Sequence, residues 1–382
     1  MESEPELYVS NPHYIKEGVK GFTFYSLKGT KVQEVLTRRY RDFDALRKKM
    51  VERWPGIYIP KLPNKKKVVG SKGIKVSIVR VEMINRFLKK IAKIKYLIDS
   101  EEMELFLENT SNVSKTLESI KTQNYENLSK KYFGTFLDYD DNFDTKAGKE
   151  DQDKFENKLL ESLPKMRSFS LLVSAAMERF ADEQENYSAV INMLSFYEKE
   201  CLSNFVNNQE NKLVLFNMKN QELCENIGNS QKQVINPYER LYSAITDDIL
   251  NSEAMTEALE GLKNMQESYK KLNKSLSNIN IEISELQSGK GSMISLFKNK
   301  EKELNKLNND KETIEKNVNN LGNAIKIATF NMQNAIKDFK ITELDNYYAE
   351  LSRIESDTEH NAQISDDLWE TVIKDKNISE FN

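Results

Sequence analysis

The second half of the chain admits few folds. Met255, Leu259, Leu262, Met265, Tyr269, Leu272, Leu276, Ile279, Ile283 and Leu286 step by three and four without interruption. Ile314, Val318, Leu321, Ile325, Ala328, Met332, Ala335 and Phe339 follow a 4-3 alternation. Met166, Phe169, Val173, Ala176 and Phe180 step alike, and Tyr187, Ile191 and Leu194 continue the pattern. Runs this long mean packed, coiled-coil-like helices. Asn207-Asn208 marks a first turn and Ser288-Gly289-Lys290-Gly291-Ser292 a second. The spacing predicts three helices over about 151–206, 211–287 and 299–376, with Pro237 kinking the second. A three-helix monomer of that length has a thin core for its surface, so pairing through the helices is expected. The composition agrees: 30% charged residues and a mean hydropathy of -0.66 suit long exposed helices better than a compact enzyme.

The front of the chain differs in kind. Three of the seven prolines, Pro55, Pro60 and Pro63, fall close together. Residues 1–115 carry 24 Lys+Arg against 14 Asp+Glu, whereas the remainder carries 32 against 46. That asymmetry points to an anionic partner for the front half. Leu7-Tyr8-Val9 ahead of Asn11-Pro12, Val19 to Leu27 ahead of Lys28-Gly29, and Val32 to Leu36 predict three short antiparallel strands. Phe43, Leu46, Met50 and Trp54 predict a helix over Asp42–Trp54 that Pro55-Gly56 ends. A second helix spans about Val76–Ile94, with Arg80 near its start, and a short one spans Glu101–Leu107.

Between strand and helix lies Arg38-Arg39-Tyr40-Arg41-Asp42-Phe43. A guanidinium is a planar fork of donors that matches phosphate oxygens, and a tyrosine beside it offers a flat face to a sugar-like ring. The plainer reading is a strand end with solvated arginines. Pro60-Lys61-Leu62-Pro63 suits an extended polyproline segment. The loop after it carries Lys65, Lys66, Lys67, Val68 and Val69; as a bare charge run those lysines read as solvated.

Other chemistry is sparse. Cys201 and Cys224 lie in helical patterns and suggest buried thiols in a reducing compartment. The N-terminus lacks an apolar stretch of the signal-peptide kind, and no run of about 18 apolar residues is present, so any membrane contact is expected to be peripheral. His13 and His360 have no partners at ligand spacing. With no phosphate loop, metal cluster or triad, neither catalysis nor a cofactor or metal is expected. Over Ser114–Leu137, Leu117, Ile120, Tyr125, Leu128, Tyr132 and Phe136 form a broad apolar arc flanked by lysines. Such a helix either lies in a headgroup layer or packs on its neighbours. Asp138–Asp153 reads as an acidic linker.

The RRYRDF string, the PKLPNK stretch and Arg80 opening Arg80-Val81-Glu82-Met83-Ile84-Asn85-Arg86-Phe87-Leu88, in that order, resemble the phox-homology (PX) domain of sorting nexins over about residues 5–110. The resemblance implies binding of phosphatidylinositol 3-phosphate. Arg39 would grip the 3-phosphate and Tyr40 would stack on the inositol ring. Lys65 would meet the 1-phosphate, with Lys66 and Lys67 open as alternatives, and Arg80 would bond the 4- and 5-hydroxyls. Arg38 would support from the other strand face. Lys66, Lys67, Val68 and Val69 would contact the bilayer, each basic residue contributing about 1 kcal/mol.

The helices, with Asp338-Phe339-Lys340, Tyr347-Tyr348, Leu351 and Trp369, resemble the BAR domain that follows the PX domain in one branch of sorting nexins. The fold class expected is therefore an α+β PX domain over 1–110, with a three-stranded antiparallel sheet. An amphipathic helix and linker over 111–150 and an all-α three-helix BAR domain over 151–382 follow. The resemblance implies a cytoplasmic protein, peripheral on endosomal membranes. It would bind phosphatidylinositol 3-phosphate and anionic membrane, and pair as a homodimer or as a heterodimer with another BAR-containing sorting nexin. It would sense or stabilise curvature during sorting and transport, with a cargo-sorting coat as a candidate partner, and would bind no nucleic acid. Lys270, Lys271, Lys274, Lys290, Lys298, Lys300, Lys302 and Lys306, around Met293, Ile294, Leu296 and Phe297, are candidate lipid contacts at the second turn, or else those apolar residues cap the hairpin. The alternative function is a PX-targeted scaffold or tether whose helices recruit proteins without deforming membrane.

Overall fold

The computed structural model describes residues 6–17, 20–63, 74–108, 112–140, 142–200, 233–288 and 300–374. Lys65, Lys66, Lys67, Val68 and Val69 lie outside that set. So do Cys201, Cys224, Lys290, Lys298 and the Met293–Phe297 cluster.

Three strands open the chain: β1 (Leu7–Glu17), β2 (Lys20–Gly29) and β3 (Leu36–Arg39), antiparallel in the order β1-β2-β3. β1 runs past Pro12, where the sequence suggested a stop. A bulge between Ser10 and His13, with Asn11 at φ 49, absorbs the proline and lets pairing resume. Val32 and Val35 precede β3 rather than form it, because residues 30–35 turn back from β2. Then come α1 (Tyr40–Arg53), α2 (Ile74–Lys93), α3 (Lys95–Ile98) and α4 (Glu101–Leu107). Phe43, Leu46 and Met50 of α1 meet Tyr25, Leu27, Ile84, Phe87, Leu88 and Phe106 in a fully enclosed core.

The segment expected as one helix over 114–137 is two, α5 (Val113–Ser119) and α6 (Tyr125–Thr135). The break has a polar cause. Lys49 and Arg53 of α1 take the carbonyls of Ile120 and Lys121, at 3.2 and 3.3 Å, and Thr122 donates to Glu52. Asn124 then caps a new helix by accepting the Asn127 N–H. The apolar arc of α6 is spent on the protein itself. Tyr132 stacks on Trp54 with centroids 6.1 Å apart, Phe136 meets Trp54 and Tyr96 edge-on, and the Tyr132 hydroxyl donates to the Pro55 carbonyl.

Charge fastens the same helix. Glu102, wholly buried, pairs with Arg53 and lies 3.7 Å from the Lys131 ammonium, which sits 3.5 Å over the Trp54 ring. Burial pushes the Lys131 pKa down to about 8, with Glu102 pulling the other way. The unfolded chain holds this proton up to about 10.5, so protonation of Lys131 opposes folding below pH 8, and the opposition lifts as pH rises from 8 to 10.5. Thermal unfolding of the parent should therefore gain on that of Lys131→Met across this range; parallel curves would count against it.

Three long helices complete the chain: α7 (Thr145–Glu200), α8 (Pro237–Gln287) and α9 (Lys300–Lys374). α7 begins inside the expected linker, where Asp144 takes the N–H groups of Lys146 and Ala147. The Gln152 side chain already reaches the Thr329 carbonyl at 2.8 Å. Pro237 starts a helix rather than kinking one, because its missing N–H and fixed φ suit the first helical position. Residues 233–236 ahead of it are not helical, and 211–232 lie outside the described set. Among the described residues, no helix is long and apolar enough to cross a membrane.

The chain divides into two compact units. The first, residues 1–163 and 250–340, joins the sheet and short helices to parts of the long ones. The Arg47 guanidinium bonds the Pro60 carbonyl at 3.0 Å and pairs with Glu257, while Lys61 reaches Glu253 at 3.0 Å and Lys90 reaches Asn251 at 2.6 Å. Gly56, at φ 76, presses its backbone onto α8: a Cβ on Gly261 would stand 2.9 Å from the Gly56 nitrogen. Gly261→Val is expected to lower the stability of this unit by about 1–3 kcal/mol, read as an earlier urea transition; an unchanged midpoint would speak against this packing.

In the second unit, residues 164–249 and 341–382, the Asn361 amide pairs with both backbone groups of Ile235 at 2.9 and 2.7 Å. Asn236 donates to the Met177 carbonyl, and Arg240 pairs with Asp357 at 2.7 Å. These bonds fix the start of α8.

Candidate functional site

A strand sends successive side chains to opposite faces, and this sorts the arginine pair. Arg38, opposite Tyr25, turns inward and is 3% exposed. Its guanidinium donates to the carbonyls of Phe106, Glu108 and Thr37 at 2.5–3.1 Å. Burial pushes its pKa down. This is a structural cation, as expected.

Arg39, opposite Phe24, turns outward with its side chain 27% exposed. Its backbone N–H donates to Asp42 at 3.0 Å, the reciprocal half of a helix cap. The guanidinium stands 3.8 Å from Asp42 and 5.5 Å from the Phe22 ring centroid. Asp42 is steadied in turn by Ser114 at 2.7 Å. Arg39 is thus aimed without being consumed, at the N-terminal end of α1, where the helix dipole favours an anion.

Tyr40 is half-buried, and its hydroxyl donates to the Pro63 carbonyl. That bond ties the start of α1 to the last described residue before the lysine loop. Burial, then the Asp44 charge, raises its pKa to about 12, so it stays a neutral phenol. Arg80, half-buried on α2, hydrogen-bonds Tyr25 and acts electrostatically on Tyr40. Arg80 therefore stands near Tyr25 and Tyr40, while Arg39, next to Tyr40 in sequence, lies on the outward face of the sheet with Phe22 and Phe24. Phe22, Tyr25 and Asp42 are the neighbours the sequence reading did not single out. The strand period marks Tyr25 as inward-facing with Leu27, but nothing in the sequence shows its hydroxyl meeting Arg80.

A family model described as the PX domain matches residues 27–110. Sorting nexin-30 of Xenopus tropicalis is 31% identical over an alignment that covers 41% of this chain and 40% of that protein. The chain thus spans well under half of that relative. The cryo-EM structure of the SNX-BAR Mvp1 tetramer superposes with a TM-score of 0.62, covering 96% of this chain and 99% of that one at 16% identity. The chain thus carries a PX domain and shares, over nearly its whole length, the fold of an SNX-BAR protein. Within this fold, α1 serves two ends: Arg39, just before its first turn, faces outward, while Arg47 and Arg53 further along hold α8 and α4.

Proposed function

We propose that this chain is a peripheral membrane protein of endosomal sorting and transport. Its PX domain, about residues 1–110, binds phosphatidylinositol 3-phosphate, and its helices, 151–382, pair into a dimer that senses or stabilises membrane curvature, with 111–150 joining the two. The observation that carries this reading is the outward Arg39 next to Tyr40, with Arg80 close enough to act on the Tyr40 phenol. Arg39 takes the 3-phosphate, Tyr40 the ring face and Arg80 the ring hydroxyls. Lys65 meets the 1-phosphate, and Lys66, Lys67, Val68 and Val69 meet the bilayer.

Pairing has its own support. In the second unit, Phe169, Leu172, Val190, Met193 and Tyr197 recur at helical spacing on α7 and are 50–71% exposed, and Ile341, Tyr347 and Tyr348 on α9 are 53–62% exposed. Soluble monomers rarely leave that much apolar surface uncovered. The SNX-BAR protein Mvp1, of the same fold, forms a tetramer. Leu172→Asp with Met193→Asp is expected to halve the mass seen by sedimentation; a parent already monomeric at micromolar concentration would contradict pairing.

Flotation with vesicles tests the whole reading. The parent should float with vesicles containing the lipid, fail to float without it, and draw vesicles into tubules at high coverage. Flotation without deformation at any density would favour the scaffold alternative.

A further inference from the structure

Residues 57–63 lead from the end of α1 toward the lysine loop without helix or strand. Pro60 and Pro63 have no N–H to give and a fixed φ, which suits an extended strap. α8 fastens this strap along its length. At the near end, the Gly56 backbone presses on Gly261. The Tyr58 hydroxyl donates to the Asn251 side chain at 3.3 Å. The Pro60 carbonyl takes the Arg47 guanidinium, which itself pairs with Glu257. The Lys61 ammonium meets Glu253 at 3.0 Å, and the Glu253 side chain is only 16% exposed. At the far end, the Pro63 carbonyl accepts the Tyr40 hydroxyl. Ile59 and Leu62, between these points, are buried. A stiff, extended segment with buried side chains carries a shift at one fastening to the next. The strap therefore runs from α8 to the ring assigned to the inositol face.

We propose that Glu253 of α8 is a positioning residue for headgroup binding: through Lys61 it sets the strap, and through the strap the Pro63 carbonyl that holds Tyr40. The long helix then belongs to the headgroup site without touching the headgroup. Asn251, two residues earlier, also accepts Lys90 of α2, the helix that carries Arg80. One stretch of α8 thus steadies the supports of both Tyr40 and Arg80. The sign of the effect separates positioning from simple electrostatics. Removing a carboxylate near a site for an anion should tighten binding through the field alone, whereas removing a positioning carboxylate weakens it. The inference rests on the headgroup reading of Tyr40.

The experiment uses the full chain and soluble inositol 1,3-bisphosphate, with no membrane present. Glu253→Gln should weaken binding about fivefold, with thermal unfolding close to the parent's. Lys61→Met should weaken it too, and adding Glu253→Gln to Lys61→Met should cost nothing further, because each acts through the other. In the parent, saturating headgroup should slow amide exchange over residues 57–62. In Tyr40→Phe, which keeps the ring but not the bond to Pro63, that slowing should be absent even at saturation. Unchanged or tighter binding in Glu253→Gln overturns the proposal, as does a loss no larger than its fall in folded fraction. Additive losses in the double variant overturn it as well, and so does exchange over 57–62 that ignores the headgroup in the parent or slows equally in Tyr40→Phe. Should the parent itself bind no soluble headgroup, the lipid reading fails first and takes this one with it.

Discussion

Arg39→Ala is expected to weaken binding of the full chain to vesicles bearing phosphatidylinositol 3-phosphate about a hundredfold, with thermal unfolding close to the parent's. The asymmetry follows from what the side chain touches. Inside the protein it makes one loose approach to Asp42 at 3.8 Å and one ring contact with Phe22. Toward a phosphate it offers a charge-assisted fork, and truncating one partner of such a desolvated pair costs about 2–5 kcal/mol. Each 1.4 kcal/mol is about tenfold. Arg39→Lys should recover little, since a point charge does not reproduce the fork. Arg38→Ala should show the reverse pattern. It strips donors from the carbonyls of Phe106 and Glu108, so stability falls and binding declines only with the folded fraction. If Arg39→Ala bound like the parent while Arg38→Ala lost binding without unfolding, the two roles would be interchanged.

Glu102→Ala carries the largest expected cost to stability. The carboxylate is wholly buried and faces two cations, Arg53 and Lys131, that are themselves largely covered. Removing it leaves both charges without their buried counter-ion, a loss of about 3–5 kcal/mol. Glu101 still meets Arg53 at 2.6 Å, but from an exposed position with its side chain 57% accessible, and compensates little. Amide exchange over Tyr125–Thr135 should quicken first, because Lys131 is how α6 joins this pair. Glu101→Ala should shift stability by less than about 1 kcal/mol. Equal effects from the two variants would mean the buried pair contributes no more than a surface one.

Much of this was legible before any coordinates. Period-two alternation through Leu36–Arg39 already separates an inward Arg38 from an outward Arg39, and apolar steps of three and four locate the long helices. The features misjudged or left open share a cause: they are settled by partners distant in sequence. Pro12 stays within a strand because a bulge at Asn11 absorbs it. Pro237 opens a helix because Asn361 and Met177 hold the residues before it. The arc of α6 has the same composition whether it meets lipid or Trp54, and only the buried Glu102–Lys131 contact decides. Glu102 itself looks like any first-turn acid of a short helix. Tyr25 and Phe22 read as ordinary strand residues until Arg80 and Arg39 are placed beside them.

The central claim is that Arg39, Tyr40 and Arg80 together hold one phosphorylated inositol ring. Calorimetric titration of the full chain with short-chain, soluble phosphatidylinositol 3-phosphate tests it without any membrane. The account predicts saturable heat with one site per chain, abolished in Arg39→Ala and sharply reduced in Arg80→Ala. Heat that never saturates, or that saturates identically in the parent and in Arg39→Ala, would contradict it.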